Sequence, residues 1–162
     1  MIRRIISRIC TAFAKRTLKS YGEGLRVNFP CKFSRRTECG HHCNFNGIKV
    51  FGGGTLLIGS YFHSGKGIEV FTDTHNYDKG DAIPYDSTNI KYNIEIGDFV
   101  WIGADVKILG NVKIADGAII QAGSIVVSDI PYCGIAGGHP AKVFKYRDIE
   151  HFEKLKEEKK YH

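Results

Sequence analysis

The sequence predicts an all-β solenoid, with short strands wound into stacked coils and a short helix at each end. Three observations predict it: a six-residue period of apolar positions, its recurrence over most of the chain, and its interruption by a single long polar stretch. The clearest run opens six consecutive hexads at Ile96, Ile102, Ile108, Ile114, Ile120 and Val126. Every opener is β-branched and aliphatic, and the fifth positions (Val100, Val106, Val112, Ala118, Ser124 and Ile130) are all small or apolar. A period of six matches neither a helical stripe nor a single alternating strand. It suits short strands separated by bends, each coil stacking its inward residues on the next. Gly97 and Gly103 fall at second positions, where a corner benefits from relaxed backbone sterics.

The pattern recurs earlier in the chain. Ile58, Ser64 and Val70 open three hexads in one phase, and Val27, Phe33, Cys39, Phe45 and Phe51 open five more, offset by one residue. The offset implies an insertion near Gly52-Gly53-Gly54, and this register turns Lys49 inward. Between Asn76 and Asn93 the repeat stops. That stretch is polar and rich in turn formers, and it reads as a loop leaving the solenoid, a common place for function on a rigid scaffold.

The ends differ in character. Residues 1–26 form an amphipathic helical cap, with Ile2, Ile5, Ile6, Ile9 and Phe13 along one side and Arg3, Arg4, Arg8, Lys15 and Arg16 over much of the rest. Its role is to close the open end of the solenoid, the alternative being loose contact with a membrane surface. The solenoid spans 27–146, with the loop at 76–93. Residues 147–162 form a charged C-terminal helix whose Ile149, Phe152 and Leu155 face the solenoid or a neighbouring subunit.

A chain of 162 residues with a formal net charge of +6 accommodates one domain and invites a polyanionic partner. No finger, RNA-recognition or helix-turn-helix signature accompanies that charge, so no nucleic acid is expected, and a ligand carrying several phosphates explains it equally well. The first ten residues are too interrupted by arginine for a secretory signal, and no apolar run is long enough for a membrane helix. Five scattered cysteines make a poor disulfide framework and point to a reducing cytoplasm. Cys39 and Cys43 flank two histidines, a zinc-like arrangement, yet the register turns both cysteines into the core, so no metal is expected.

The segment IEIGDFVWIGADVKILGNVKIADGAIIQAGSIVVSDI, followed by IAGGHPAKVFKYR, resembles the signature of hexapeptide-repeat acetyltransferases, nearest the galactoside, maltose and capsular-sugar O-acetyltransferases. The resemblance covers residues 27–147. It implies a left-handed parallel β-helix, an exception to the usual right-handed crossover, and a homotrimer holding acetyl-CoA between neighbouring subunits. It implies His75, at the mouth of the long loop, as general base, and Asn44, in Asn44-Phe45-Asn46, as the acceptor contact. Counting hexads places His75 and Asn44 on different edges of the prism, so they meet only across a subunit interface.

Acyl transfer needs a base for the acceptor's proton and donors for the oxyanion. An unperturbed imidazole, titrating near about 6.5, suits the first task. A backbone amide at Gly103 or Ala104 is the family-style oxyanion donor, and Asp73 is a weaker candidate to orient the imidazole. For CoA the resemblance implies Gly103, Ala104, Ala122 and Gly123 along the pantetheine arm and Lys142 and Lys145 near the phosphates, with Trp101 walling the cleft. Val127-Ser128 stands where relatives carry Thr-Lys, which removes one expected cation. His63 also closes a hexad, and His41 and His42 read as turn residues. Other readings compete: a zinc-dependent carbonic anhydrase of the same fold, using His63 and His75, and a non-enzymatic scaffold. Within acyltransferases the acceptor is a sugar hydroxyl, suited by Tyr77, Asp78, Asp81, Tyr85 and Asp86 of the loop, or else an amino sugar or a streptogramin-type xenobiotic.

Overall fold

The computed structural model describes residues 2–162; Met1, the first residue of the expected cap, lies outside the described residues. Helix α1 (Ile2–Thr17) opens the chain and helix α2 (Ile149–Glu157) closes it. Between them, the four middle circuits of the chain each contribute one short strand to each of three sheets of parallel strands, and the first and last circuits contribute to fewer. The first face is built from Ser20–Tyr21, Thr37–Cys39, Thr55–Ile58, Asn93–Ile96 and Lys113–Ile114. The second runs through Arg26–Val27, Asn44–Phe45, His63–Ser64, Trp101–Ile102, Ile119–Ile120 and Gly134–Gly138. Ile48–Phe51, Ile68–Phe71, Lys107–Leu109 and Ile125–Val126 make the third. The strand Ala141–Tyr146 turns back antiparallel on Gly134–Gly138 and ends the second sheet.

The hexad openers are the inward rungs. Ile96 pairs with Ile114, Ile102 with Ile120 and Ile108 with Val126, each one circuit on, and all of these side chains are buried. The fifth positions Val100, Val106, Val112, Ala118, Ser124 and Ile130 are buried as well. Each fully buried branched side chain contributes roughly 1.5–3 kcal/mol of apolar transfer, so a column of them fixes the register.

Three expectations are corrected. Lys49 is exposed, because Ile48 and Val50 are the inward pair, in register with Ile68 and Val70. The phase shift therefore combines a shortened step between Phe45 and Val50 with a lengthened one through the glycines. Phe51 is consequently not an opener; it is half-exposed and stacks on Phe71, with centroids 5.2 Å apart. The loop is also displaced from 76–93: the chain leaves the sheets at Asp73 and returns after Lys91, because Asp73–His75 and Asn89–Lys91 form an antiparallel ribbon at its root, and Asn93 already belongs to the first face.

At the corner between the first and second faces, successive coils place Gly24, His42, Tyr61, Phe99, Gly117 and Cys133 with φ between 54° and 72°. Non-glycine residues there cost about 1–2 kcal/mol each. His42 stacks on Tyr61 at 5.0 Å and Tyr61 on Phe99 at 5.1 Å, which offsets part of that strain. Helix α2 covers the end of this column. Asp148 caps it by accepting from the His151 amide, and Phe152 packs edge-on to Phe99 and Tyr132. Phe152 and Leu155 are thus partly buried, whereas Ile149 remains exposed.

Candidate active site

His75 ends the outgoing strand of the ribbon, opposite Asn89. Its imidazole is exposed and stacks on the Tyr85 ring with centroids 3.9 Å apart and planes 7° apart. That contact holds the tip of the loop against its root. The sequence marked Tyr85 as a loop aromatic but carried no sign that it faces the histidine. Asp73 does not orient the imidazole, because its Oδ2 accepts from the Gly53 amide at 2.8 Å and is committed to the glycine turn. The ribbon is braced from beneath: Tyr92 N donates to Thr72 O at 2.8 Å, and Thr72 Oγ1 donates to Phe51 O at 2.8 Å.

Asn44 stands on the second face, in register with Arg26 on one side and His63 on the other. Its Oδ1 accepts from Asn28 Nδ2 at 2.8 Å, and the same amide reaches Asn46 Oδ1 at 2.9 Å. Asn28 is therefore a positioning residue that the sequence did not reveal, since its signal is only its place one circuit before Asn46. His63 is in register with Trp101, and its Nε2 lies 3.1 Å from the His162 carbonyl. Asn44 and His63 thus share one face, while His75 belongs to the ribbon that leaves the third.

The seven residues expected to hold the cofactor gather along one edge. Trp101, 52% exposed, continues in register through Ile119 and Ile135 to Lys145. Just beyond Ile102 and Ile120 come the corner turns carrying Gly103-Ala104 and Ala122-Gly123. Lys142 pairs with Gly137, whose added Cβ would press on the Gln121 side chain. Coils stack tightly there: a Cβ on Gly103 would sit 2.5 Å from Ala122 N. Ala122, Gly123, Lys142 and Lys145 are exposed, leaving a shallow, small-walled edge with cations at one end. Of the two amides considered for an oxyanion, Gly103 N donates to Ile120 O at 2.8 Å, which leaves Ala104 as the candidate.

Cys39 and Cys43 are buried in the core, where Cys43 Sγ donates to Gly59 O at 3.1 Å. Among the described residues, no three His, Cys, Asp or Glu side chains gather into a metal-holding group. Among the described residues, no helix is long and apolar enough to cross a membrane.

Residues 93–128 match the family model "Bacterial transferase hexapeptide (six repeats)". The probable macrolide acetyltransferase of Lysinibacillus sphaericus is 32% identical over 136 residues, covering 74% of this chain and 71% of the relative. The chain belongs to the hexapeptide-repeat acetyltransferases. Another relative, the chloramphenicol acetyltransferase of Klebsiella aerogenes, is 32% identical over 108 residues, covering 57% of this chain and 51% of its own. The chain spans about half the length of this and another of the curated family members it matches. A galactoside acetyltransferase solved with coenzyme A superposes with a TM-score of 0.74 at 26% identity, covering 86% of this chain and 71% of that one.

Proposed function

We propose that this protein is an acetyl-CoA-dependent acetyltransferase that acetylates a sugar-like hydroxyl, with His75 as base. The observation that carries the reading is the clustering of Trp101, Gly103, Ala104, Ala122, Gly123, Lys142 and Lys145 on one edge, apart from an exposed His75 rooted in the loop. Acetyl-CoA lies along the small-walled edge with its phosphates toward Lys142 and Lys145. A left-handed β-helix assembled as a trimer brings His75 of one subunit to the CoA edge of the next, and Asn44 contributes from the second face. The imidazole takes the acceptor hydroxyl proton as the oxygen attacks the thioester carbonyl. The tetrahedral oxyanion collapses with cleavage of the C–S bond, and the imidazolium returns the proton to the CoA thiolate. A base of this kind supplies about 10²–10⁴-fold in rate, the remainder coming from alignment and amide donors such as Ala104. The five unpaired thiols fit a reducing cytoplasm.

A second reading takes a xenobiotic hydroxyl as acceptor, favoured because two relatives are named for chloramphenicol and macrolides. One experiment addresses both. Thiol release from acetyl-CoA is followed against sugars, nucleotide sugars, chloramphenicol, macrolides and streptogramins, for wild type and His75→Ala. The proposal expects one acceptor class to react and the variant to lose about two or more decades of rate at unchanged thermal stability. A variant as fast as wild type removes His75 from the mechanism.

A further inference from the structure

Helix α1 docks on the solenoid by the unexpected side. Its contacts with the first coil are small and polar: Ser7 Oγ donates to Asn28 Oδ1 at 3.1 Å, Thr11 Oγ1 accepts from Val27 N at 2.9 Å, and Ala14 is buried. The first coil offers unpaired backbone at Val27, and Thr11 satisfies it. That choice turns the apolar stripe away from the protein. Ile2, Ile5, Ile6, Ile9 and Phe13 are between 41% and 75% exposed, which leaves a continuous apolar face about three turns long.

The charges around that stripe are all of one sign. The helix carries Arg3, Arg4, Arg8, Lys15 and Arg16 and no acidic residue. None of these five makes an ion pair among the described residues. Arg3 and Arg4 sit in the first turn, where the helix dipole is positive and a cation is unfavourable. An anionic partner reverses that penalty. Pairing the stripe with its counterpart in a second copy would instead set cation against cation.

We propose that α1 is a membrane-surface anchor that seats its isoleucine and phenylalanine stripe in the interface of an anionic bilayer, with the arginines among the headgroups. An apolar stripe flanked by cations binds such surfaces by combining buried area with headgroup attraction. The helix lies flat without crossing, and the solenoid rides above it. The partner is a lipid surface rather than a substrate, so the inference stands apart from the acyl acceptor.

The test is flotation of the full chain with vesicles of phosphatidylcholine, with and without phosphatidylglycerol, at low and high salt. Wild type is expected to float with the anionic vesicles, at least about tenfold more weakly with neutral ones, and less at high salt. Ile5→Ser/Ile9→Ser/Phe13→Ser, all at exposed positions, is expected to stay in the soluble fraction while keeping the wild-type unfolding temperature and molar mass. Arg3→Glu/Arg4→Glu/Arg8→Glu is expected to do the same. Wild type that fails to float with phosphatidylglycerol overturns the proposal, as does a serine variant that floats like wild type. A serine variant that drops to a smaller species in light scattering also overturns it, by assigning the stripe to a subunit contact.

Discussion

Gly54→Ala tests how the loop that carries His75 is anchored. Gly54 is buried between the residue where the chain leaves the solenoid and the one where it returns. An added Cβ would lie 2.9 Å from Tyr92 N and closer still to the carbonyl oxygens of Tyr92 and Thr72, all of it backbone that cannot rotate away. Those groups form the clamp: Tyr92 N donates to Thr72 O at 2.8 Å, and Thr55 N donates to Tyr92 O at 3.0 Å. Relief of the clash requires one or both bonds to open. Overpacking costs about 1–3 kcal/mol and each bond about 1 kcal/mol, giving a loss of about 2–5 kcal/mol. At roughly 2–4 °C per kcal/mol for a chain of this size, the midpoint should fall by about 10 °C. Gly110→Ala is the control, since its φ of +94° strains any side chain but nothing lies within 4 Å of the added Cβ. It should lose only about 1 kcal/mol and about 2–4 °C. Thermal unfolding by circular dichroism compares the two. Equal midpoints for both variants would refute the reasoning, because backbone strain rather than crowding at the clamp would then decide the cost.

Four other outcomes are expected. Lys107, bonded to Glu69, holds that carboxyl below its usual range; the pair therefore stabilises above the unfolded pKa and is lost as pH falls through the depressed one. Lys107→Met should accordingly flatten the decline in melting temperature between about pH 7 and about pH 3. Burial pushes the Cys31 and Cys133 thiols up and leaves Cys39 and Cys43 inaccessible, so an aromatic disulfide reagent under native conditions should label Cys10 first, Cys31 more slowly, and the other three only on unfolding. Trp101 is the single tryptophan and lies on the proposed CoA edge, so CoA should change its emission, and Lys142→Ala/Lys145→Ala should raise KM for acetyl-CoA by about tenfold or more with kcat nearly unchanged.

The short parallel strands on three sheets were legible because their period is a property of single residues. One inward aliphatic per strand and one strand per face place Ile96, Ile102 and Ile108 on three different sheets, and nothing distant is needed to read them. The register failed between Phe45 and Ile58 because two irregularities nearly cancel: a short step before Val50 and a long one through Gly52-Gly53-Gly54. Their sum looks like a single insertion, and only the pairing of Val50 with Val70 separates them. Side-chain direction at the loop was less legible still. The residue names fit Asp73 to either the imidazole of His75 or the amide of Gly53, and it is the fold of the glycine turn that decides. The docking side of α1 was hidden for the same reason, because the periodicity gives two faces and the Val27 amide of the first coil, which donates to Thr11, chooses between them.

That choice separates two kinds of constraint in this molecule. The proposed cofactor edge is held by stacked backbone, in which Gly103 approaches Ala122 so closely that no side chain fits, and its geometry is therefore shared by every coil beneath it. His75 has no such support: it rests on one ribbon, one clamp and one stacked ring. On the proposed reading, alignment of the thioester falls to the rigid edge, whereas the loop bearing the proposed base meets its own root through the Tyr85 contact rather than through a core rung. If the proposed roles hold, acceptor choice rests on the loop and on the second-face residues around Asn44 and His63, and those can change while the stacked backbone of the proposed cofactor edge stays intact.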